Sequence, residues 1–247
     1  MGYLSPAKPR IFAHRGFVKQ GTDENSTAAF YAAISAGATH IETDVRVTRD
    51  GVPVLLHDAD LRAVAGDERA LAEVNWHEIK DRRLRNGGRL LSLEEALIIF
   101  GTSLFNLDLK ESAAVGPVYQ VIRKVKAYDR VLIASFSQAR IDKAMRLLRE
   151  KSVVASAGSS RVVWLRLLSA IGMPVFWLAK GLVAVQVPVR QSWLRFDSRS
   201  FIKAMHHAGL EVHFWTINDP AEMKRLVELG ADGIVTDRTD LAVSALR

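Results

Sequence analysis

Two imidazoles, a guanidinium, an ammonium and three carboxylates stand at the ends of short apolar runs in this chain. His14-Arg15 follows Ile11-Phe12-Ala13, Glu42 and Asp44 follow or end the run from Thr39, and His57 follows Val52-Pro53-Val54-Leu55-Leu56. Side chains alternate along a strand, so Glu42 and Asp44 project to one face, about 7 Å apart. Two inward-facing carboxylates at that spacing repel unless a cation lies between them, and hard oxygen donors suit Mg2+ or Ca2+. Farther on, Asn106-Leu107-Asp108-Leu109-Lys110 alternates in the same way, offering Asp108 as a third carboxylate and Lys110 as an anion clamp. Arg15 adds a second positive group, and His14 and His57 are of the type that exchanges protons near neutrality. Such a set suits metal-assisted attack on a phosphodiester.

Reactive side chains at strand ends are how a barrel displays them at one rim. Apolar, β-branched runs lie near residues 10–14, 39–45, 52–57, 103–109, 131–136, 153–157, 182–187 and 212–217, with a ninth at 233–236. Helix-length amphipathic stretches separate most of them, the pattern of a parallel sheet with helical crossovers. Residues 26–36 open with cap-type residues and close on Gly37; Ser92-Leu93-Glu94-Glu95 reads as a capping box; Asp219-Pro220 opens a helix that Gly230 ends. The expected architecture is a single α/β domain over residues 9–247, a TIM (β/α)8 barrel. Nine runs exceed eight, so residues 52–57 are expected to pair outside the barrel count or to belong to a split second unit. Residues 58–90, rich in charge and glycine, are expected to form a small insertion over the barrel mouth.

The 247 residues, 49% hydrophobic and 25% charged, are enough for one such domain with a sizeable core. A net charge of +7 favours an anionic partner. The basic residues are scattered without interleaved aromatics, so nucleic acid is not the expected partner. No cysteine is present, which excludes disulfides, thiolate nucleophiles and thiolate metal sites. Residues 1–10 hold no apolar run of the secretory kind, so a cytoplasmic location is expected. The most hydrophobic stretch, residues 162–187, is interrupted by Arg166 and Lys180, leaving thirteen uncharged residues between them. That is short of the roughly 18 that suggest a membrane span, and Pro174 breaks the helix. It reads as a buried barrel helix or as an apolar lid or interfacial patch, with Trp164, Phe176 and Trp177 in transient contact with a membrane surface.

Taken in order, the motifs resemble a known family. His14-Arg15-Gly16, Glu24-Asn25-Ser26, Ala29-Phe30, Gly37-Ala38, Ile41-Glu42-Thr43-Asp44-Val45, Thr48-Arg49-Asp50-Gly51 and His57-Asp58 closely resemble the signature of glycerophosphodiester phosphodiesterases. The likeness resumes at Asp108-Leu109-Lys110, Ser135-Phe136-Ser137, Trp215-Thr216-Ile217-Asn218 and from Gly230 to Asp237. It implies a TIM barrel, one divalent cation on Glu42, Asp44 and Asp108, His14 and His57 as the acid/base pair, and Arg15 and Lys110 on the phosphate. His14 is taken as the base and His57 as the acid, with either the substrate's neighbouring hydroxyl or water as the nucleophile. It also makes Trp215 a substrate wall, although alone that residue reads as core. Asp108 stands where the family usually has Glu, Asp23 where it has Pro, Ser26 where it has Thr, and Arg238-Thr239 replaces a Pro-containing ending. The implied activity releases an alcohol and sn-glycerol 3-phosphate from a small-molecule diester. A lysophospholipase D-like activity, or a silent barrel that binds a phosphorylated ligand, are the alternatives. Glu24 and Asn25 are candidates either to cap the first helix or to reach the metal shell. His206-His207 reads as a helix end, and His213 faces the helices or the barrel.

Overall fold

The computed structural model describes residues 2–148 and 152–247. Eight parallel strands form the barrel: β1 (Arg10–His14), β2 (His40–Val47), β3 (Leu104–Leu109), β4 (Val131–Ala134), β5 (Val154–Ala155), β6 (Ala184–Val187), β7 (Glu211–Phe214) and β8 (Gly233–Thr236). Their spatial order is β5-β4-β3-β2-β1-β8-β7-β6. The ring closes where Ser156 bridges Ala184 in parallel, flanked by the Val183 and Ala157 amides donating to the Ala155 and Ala184 carbonyls, each at 2.9 Å. The helices that follow the strands are α1 (Thr27–Ala36), α2 (Leu93–Ile99), α3 (Val115–Lys124), α4 (Gln138–Leu148), α5 (Ser159–Ala170), α6 (Arg199–His207), α7 (Pro220–Leu229) and α8 (Thr239–Leu246). The architecture is the TIM barrel expected from the alternating pattern.

The surplus run resolves as a short strand, Pro53–Leu55, antiparallel to β2 and off the barrel path. Residues 58–90 then fold around a small core of their own, in which Leu61, Leu71, Val74, Ile79, Leu84 and Leu90 pack with Val54 and Leu56. This insertion reaches the loop after β1, where the Asn86 and Gly88 amides donate to Asp23 at 3.1 and 3.0 Å.

Local signals start and stop the helices. The Ser26 hydroxyl accepts from the Ala29 amide, Ser92 and Glu95 make a reciprocal capping box, and Asp219 accepts from Ala221 and Glu222 ahead of Pro220. Gly37 and Gly230 close α1 and α7 in the left-handed conformation at φ 97° and 114°. Gly16 has a different duty. At φ 91° it carries the chain off β1, and a Cβ there would stand 2.8 Å from the Ala29 Cβ, so only glycine lets this loop lie on α1.

Alternation along each strand divides the core. Ile41, Val45, Phe105, Leu107, Leu109, Val131 and Ile133 pack outward against helices on one side, and Ile11, Val185, Val187, Val212, Phe214 and Ile234 do so on the other. The intervening residues Phe12, Leu104, Leu132, Ala134 and Val235 fill the barrel itself, together with Tyr3 from the N-terminal segment. That segment plugs the base: the His40 Nε2 donates to the Tyr3 carbonyl at 2.9 Å, and the Arg10 guanidinium donates to the carbonyls of Leu4 and Pro6. Burial holds the His40 pKa down to about 3, so this ring is neutral.

Arg10 also grips Glu211 with two bonds of 3.0 and 2.8 Å. Burial alone would raise the Glu211 pKa, but the His213 hydrogen bond and the charges around it prevail and bring it from 4.5 to about 2. A carboxylate depressed in this way stabilises the fold at pH above 4.5 and loses that contribution as pH falls through about 2. Replacing Glu211 by Gln is therefore expected to cost on the order of 2 kcal/mol at neutral pH and to flatten the acid dependence of stability, as read by urea titrations at neutral and acidic pH.

Candidate active site

Four of the barrel strands deliver polar side chains to the site. β1 ends in His14; β2 places Glu42 and Asp44; β3 places Asn106 and Asp108; β6 supplies Gln186. Parallel pairing sets Glu42 opposite both His14 and Asn106, and Asp44 opposite Asp108. Together with Arg15, His57, Lys110, Phe136 and Trp215, these residues line a cavity of about 260 Å³. All eight residues singled out from the sequence meet there.

Both histidines have one ring nitrogen held by a carboxylate. The His14 Nδ1 donates to Asp237 Oδ1 at 2.7 Å, while its Nε2 faces Glu42 Oε2 at 3.9 Å. The His57 Nδ1 donates to Asp58 Oδ1, also at 2.7 Å. Such a bond fixes the tautomer and leaves the second nitrogen of each ring for chemistry. His57 is further fixed through its backbone: its carbonyl accepts from Arg46 Nε at 2.8 Å, and the Leu56 amide donates to the Asp44 carbonyl at 3.1 Å. Burial alone would lower the His14 pKa, yet the Asp237 hydrogen bond and the Glu42 charge outweigh it and raise it.

The carboxylates are crowded and compensated. Burial first, then Asp44, pushes the Glu42 pKa up to about 8, against the opposing pull of His14 and Lys110. The Lys110 ammonium sits 2.7 Å from both Asp44 Oδ1 and Asp108 Oδ2. Its own pKa is raised: burial works against the charge, but the two aspartates prevail. Arg15, turned into the site by a backbone at φ 54°, makes two contacts to Glu24 at 3.1 and 3.2 Å, and its Nε lies 3.1 Å from Asp44 Oδ2. That last contact has the distance of an ion pair but not the alignment of a hydrogen bond, so both atoms remain without one.

Among the described residues, three buried acceptors in the cavity thus lack a hydrogen bond: Asp44 Oδ2, Asp108 Oδ1 and Asn106 Oδ1. Buried oxygens of this kind call for a donor or a cation. Among the described residues, no three acidic or histidine side chains converge in a ready ligand geometry; the ammonium of Lys110 stands between the two aspartates instead. The donor set of Glu42, Asp44 and Asp108, hard and oxygen-only with unpaired lone pairs, fits a divalent cation.

A polar chain crosses the floor. The His213 Nε2 donates to Glu211 Oε2 at 3.1 Å, so its Nδ1 accepts from Gln186 Nε2 at 3.4 Å, and Gln186 Oε1 accepts from Asn106 Nδ2 at 3.3 Å. His213 is therefore inside the barrel. Glu24 is a partner of Arg15, and the Asn25 side-chain oxygen accepts from the Thr43 hydroxyl at 2.6 Å. His206 pairs with Asp232 at 2.7 Å near the end of α6, and His207 donates to the Lys203 carbonyl.

Asn106, Asp237, Asp58, Phe136 and Gln186 are site residues to which sequence reasoning gave no role. Asp58 was signalled by its place beside His57, and Phe136 by its place in a matched motif. Phe136 meets Trp215 edge to face at 6.0 Å, forming an aromatic side to the cavity.

The model of the Glycerophosphoryl diester phosphodiesterase family matches residues 14–241. A probable glycerophosphodiester phosphodiesterase 2 from Mycobacterium tuberculosis (strain ATCC 25618 / H37Rv) is 37% identical over 231 residues, covering 93% of this chain and 87% of that protein. Two solved structures share the fold. An Oleispira antarctica phosphodiesterase in complex with the product sn-glycerol-3-phosphate has a TM-score of 0.76 at 22% identity, with 96% of each chain covered. A glycerophosphoryl diester phosphodiesterase domain from Mycobacterium tuberculosis has a TM-score of 0.81 at 16% identity, covering 96% of this chain and 98% of that one. A match that begins at His14, takes in every later barrel strand and ends within α8 makes this chain a member of the glycerophosphoryl diester phosphodiesterase family.

Proposed function

We propose that the protein hydrolyses glycerophosphodiesters to an alcohol and sn-glycerol 3-phosphate with the help of one divalent cation, Mg2+ or Ca2+. The observation that carries this reading is the pair of histidines, each steadied by its own carboxylate, beside a carboxylate cluster with unpaired oxygens in one cavity. Glu42, Asp44 and Asp108 are the residues to hold the cation, which when bound would offset charge building on the non-bridging phosphate oxygens.

The chain's own groups supply the rest. Arg15 and Lys110 attract the diester and hold its phosphate. His14 takes a proton from the attacking oxygen, which belongs to water, giving glycerol 3-phosphate directly, or to the substrate's neighbouring hydroxyl, giving a cyclic phosphate that water then opens to the same product. His57 gives a proton to the leaving alkoxide. Phe136 and Trp215 exclude water from one side. The unit that carries this activity is residues 9–247, with 58–90 as an insertion.

The deciding assay is release of glycerol 3-phosphate from glycerophosphocholine, abolished by a chelator and restored by Mg2+ or Ca2+, with lysophosphatidylcholine in parallel. Binding of glycerol phosphate without turnover would replace this reading by a silent barrel, and preference for the acylated compound by a lipid phosphodiesterase. His14→Ala and His57→Ala are each expected to lower kcat by about 10²–10⁴ while changing stability by less than about 1 kcal/mol, because both are rim side chains. Asp237→Asn removes a group that raises the His14 pKa, so the pH dependence governed by His14 moves to lower pH. With His14 as the base it is the acidic limb of the kcat/KM profile that moves; movement of the basic limb would exchange the roles of the two histidines.

A further inference from the structure

Of the large apolar residues of α5, Val162 and Leu165 are buried, and Val163, Leu167 and Leu168 pack partly buried against the same core, so Trp164 is the one turned outward. The outer stripe it begins continues past the helix end. Trp164 and Ile171, seven residues apart, lie on one face, and Met173, Phe176 and Trp177 follow in the connection to β6. All five are between 53% and 74% exposed. Elsewhere the exposed large apolar residues are spread singly or in pairs along the chain, as on any soluble surface.

The charge carried by this segment is positive. From residue 152 to residue 196 the chain holds no Asp or Glu; Arg161 and Arg195 are paired with Asp142 and Asp197 at 3.8 and 2.8 Å, and Arg166, Lys180 and Arg190 are its further cations. The same segment carries three of the five tryptophans, the third being Trp193 in the exposed hairpin formed by Arg190–Gln191 and Leu194–Arg195. Arg166 ties helix to hairpin by donating to the Arg195 carbonyl at 2.6 Å. Lys180 is exposed beside the Phe176–Ala179 turn. Exposed aromatic and aliphatic side chains flanked by Arg166 and Lys180 match the boundary between the acyl chains and the headgroups of an acidic bilayer. No helix among the described residues is long and apolar enough to cross a membrane, so the contact is one of surface insertion.

We propose that this face, Trp164, Ile171, Met173, Phe176 and Trp177 with Arg166 and Lys180, docks the protein on anionic phospholipid bilayers. α5 starts at Ser159 and turns Val162 into the catalytic cavity, so the element that meets the lipid is also a wall of the site. A water-soluble diester would be cleaved with or without docking. Membrane attachment places the enzyme where phospholipid-derived diesters arise.

The test is flotation of the full chain with phosphatidylcholine vesicles, alone or with about a third phosphatidylglycerol. Expected are recovery with the phosphatidylglycerol vesicles, weaker recovery with pure phosphatidylcholine, and loss as salt is raised. The double variant Phe176→Ser, Trp177→Ser is expected to lower partitioning about tenfold or more, with kcat/KM on glycerophosphocholine and the far-UV spectrum unchanged. Trp164→Gln, on the helix and outside that turn, is expected to lower it too, and Lys180→Glu to reduce the preference for phosphatidylglycerol. Flotation that is absent, or indifferent to all these substitutions, would overturn the proposal. So would a concentration-dependent dimer that the same substitutions abolish, because the face would then belong to a second copy of the chain. The flotation and oligomer readouts do not require the catalytic assignment to hold.

Discussion

Asp44 and Asp108 face each other on neighbouring parallel strands, and like charges in that position are tolerable only with positive charge between them. Lys110 supplies it at 2.7 Å from each, from the same strand face as Asp108 and two residues on. Arg15 supplies more from the end of β1. Glu42, one register deeper, is pushed up to a pKa of about 8 by burial first and by Asp44 second, against the pull of His14 and Lys110. The arrangement is poised electrically. Any further positive charge entering the cavity favours ionised Glu42 and competes with Lys110 for the aspartates, which would free that ammonium for an incoming anion.

Barrel closure is what converts strand ends into this cluster. His14 and Asp237 are 223 residues apart in sequence and meet because β8 pairs with β1. Gln186 meets Asn106 across the interior for the same reason. The base secures the ring from below: the rings of Tyr3, His40, Phe12 and His213 follow one another at centroid separations of 4.5 to 4.7 Å, and Arg10 binds Glu211 while its backbone pairs with β8. Stability and chemistry are therefore separated along the barrel axis, as in other proteins of this architecture.

What the sequence made legible was what local spacing encodes. The period-two pattern of residues 40–45 and 104–110 placed Glu42, Asp44 and Asp108 on the inner face, and caps such as Ser26, Ser92 and Asp219 marked helix starts because their partners lie two or three residues away. The surplus strand was countable, but its antiparallel pairing with β2 was not. Asp237 could not be matched to His14 without knowing which strands adjoin. Glu24 was ambiguous because a carboxylate beside a helix start serves a cap, a metal or an arginine equally well, and only the positive φ of Arg15 turns that guanidinium toward it. The apolar stretch around α5 looked the same in sequence whether buried or exposed, since composition does not say which face of a helix meets the sheet.

The direction of hydrogen bonds through the barrel interior ties base to rim. The His213 hydrogen bond, with the Arg10 charge behind it, keeps Glu211 ionised, and an ionised carboxylate only accepts, so the His213 Nε2 donates to it. With Nε2 donating, Nδ1 faces the Gln186 nitrogen, and the Gln186 oxygen faces Asn106. Asn106 answers with its nitrogen, and its oxygen is left facing the cavity unpaired. Reversing one link would reverse every amide above it and present an N–H where an oxygen now stands. An ion pair at the sealed end of the barrel thus fixes the polarity of the floor beneath Glu42 and Asp108, and an oxygen there adds to a surface already built to receive positive charge.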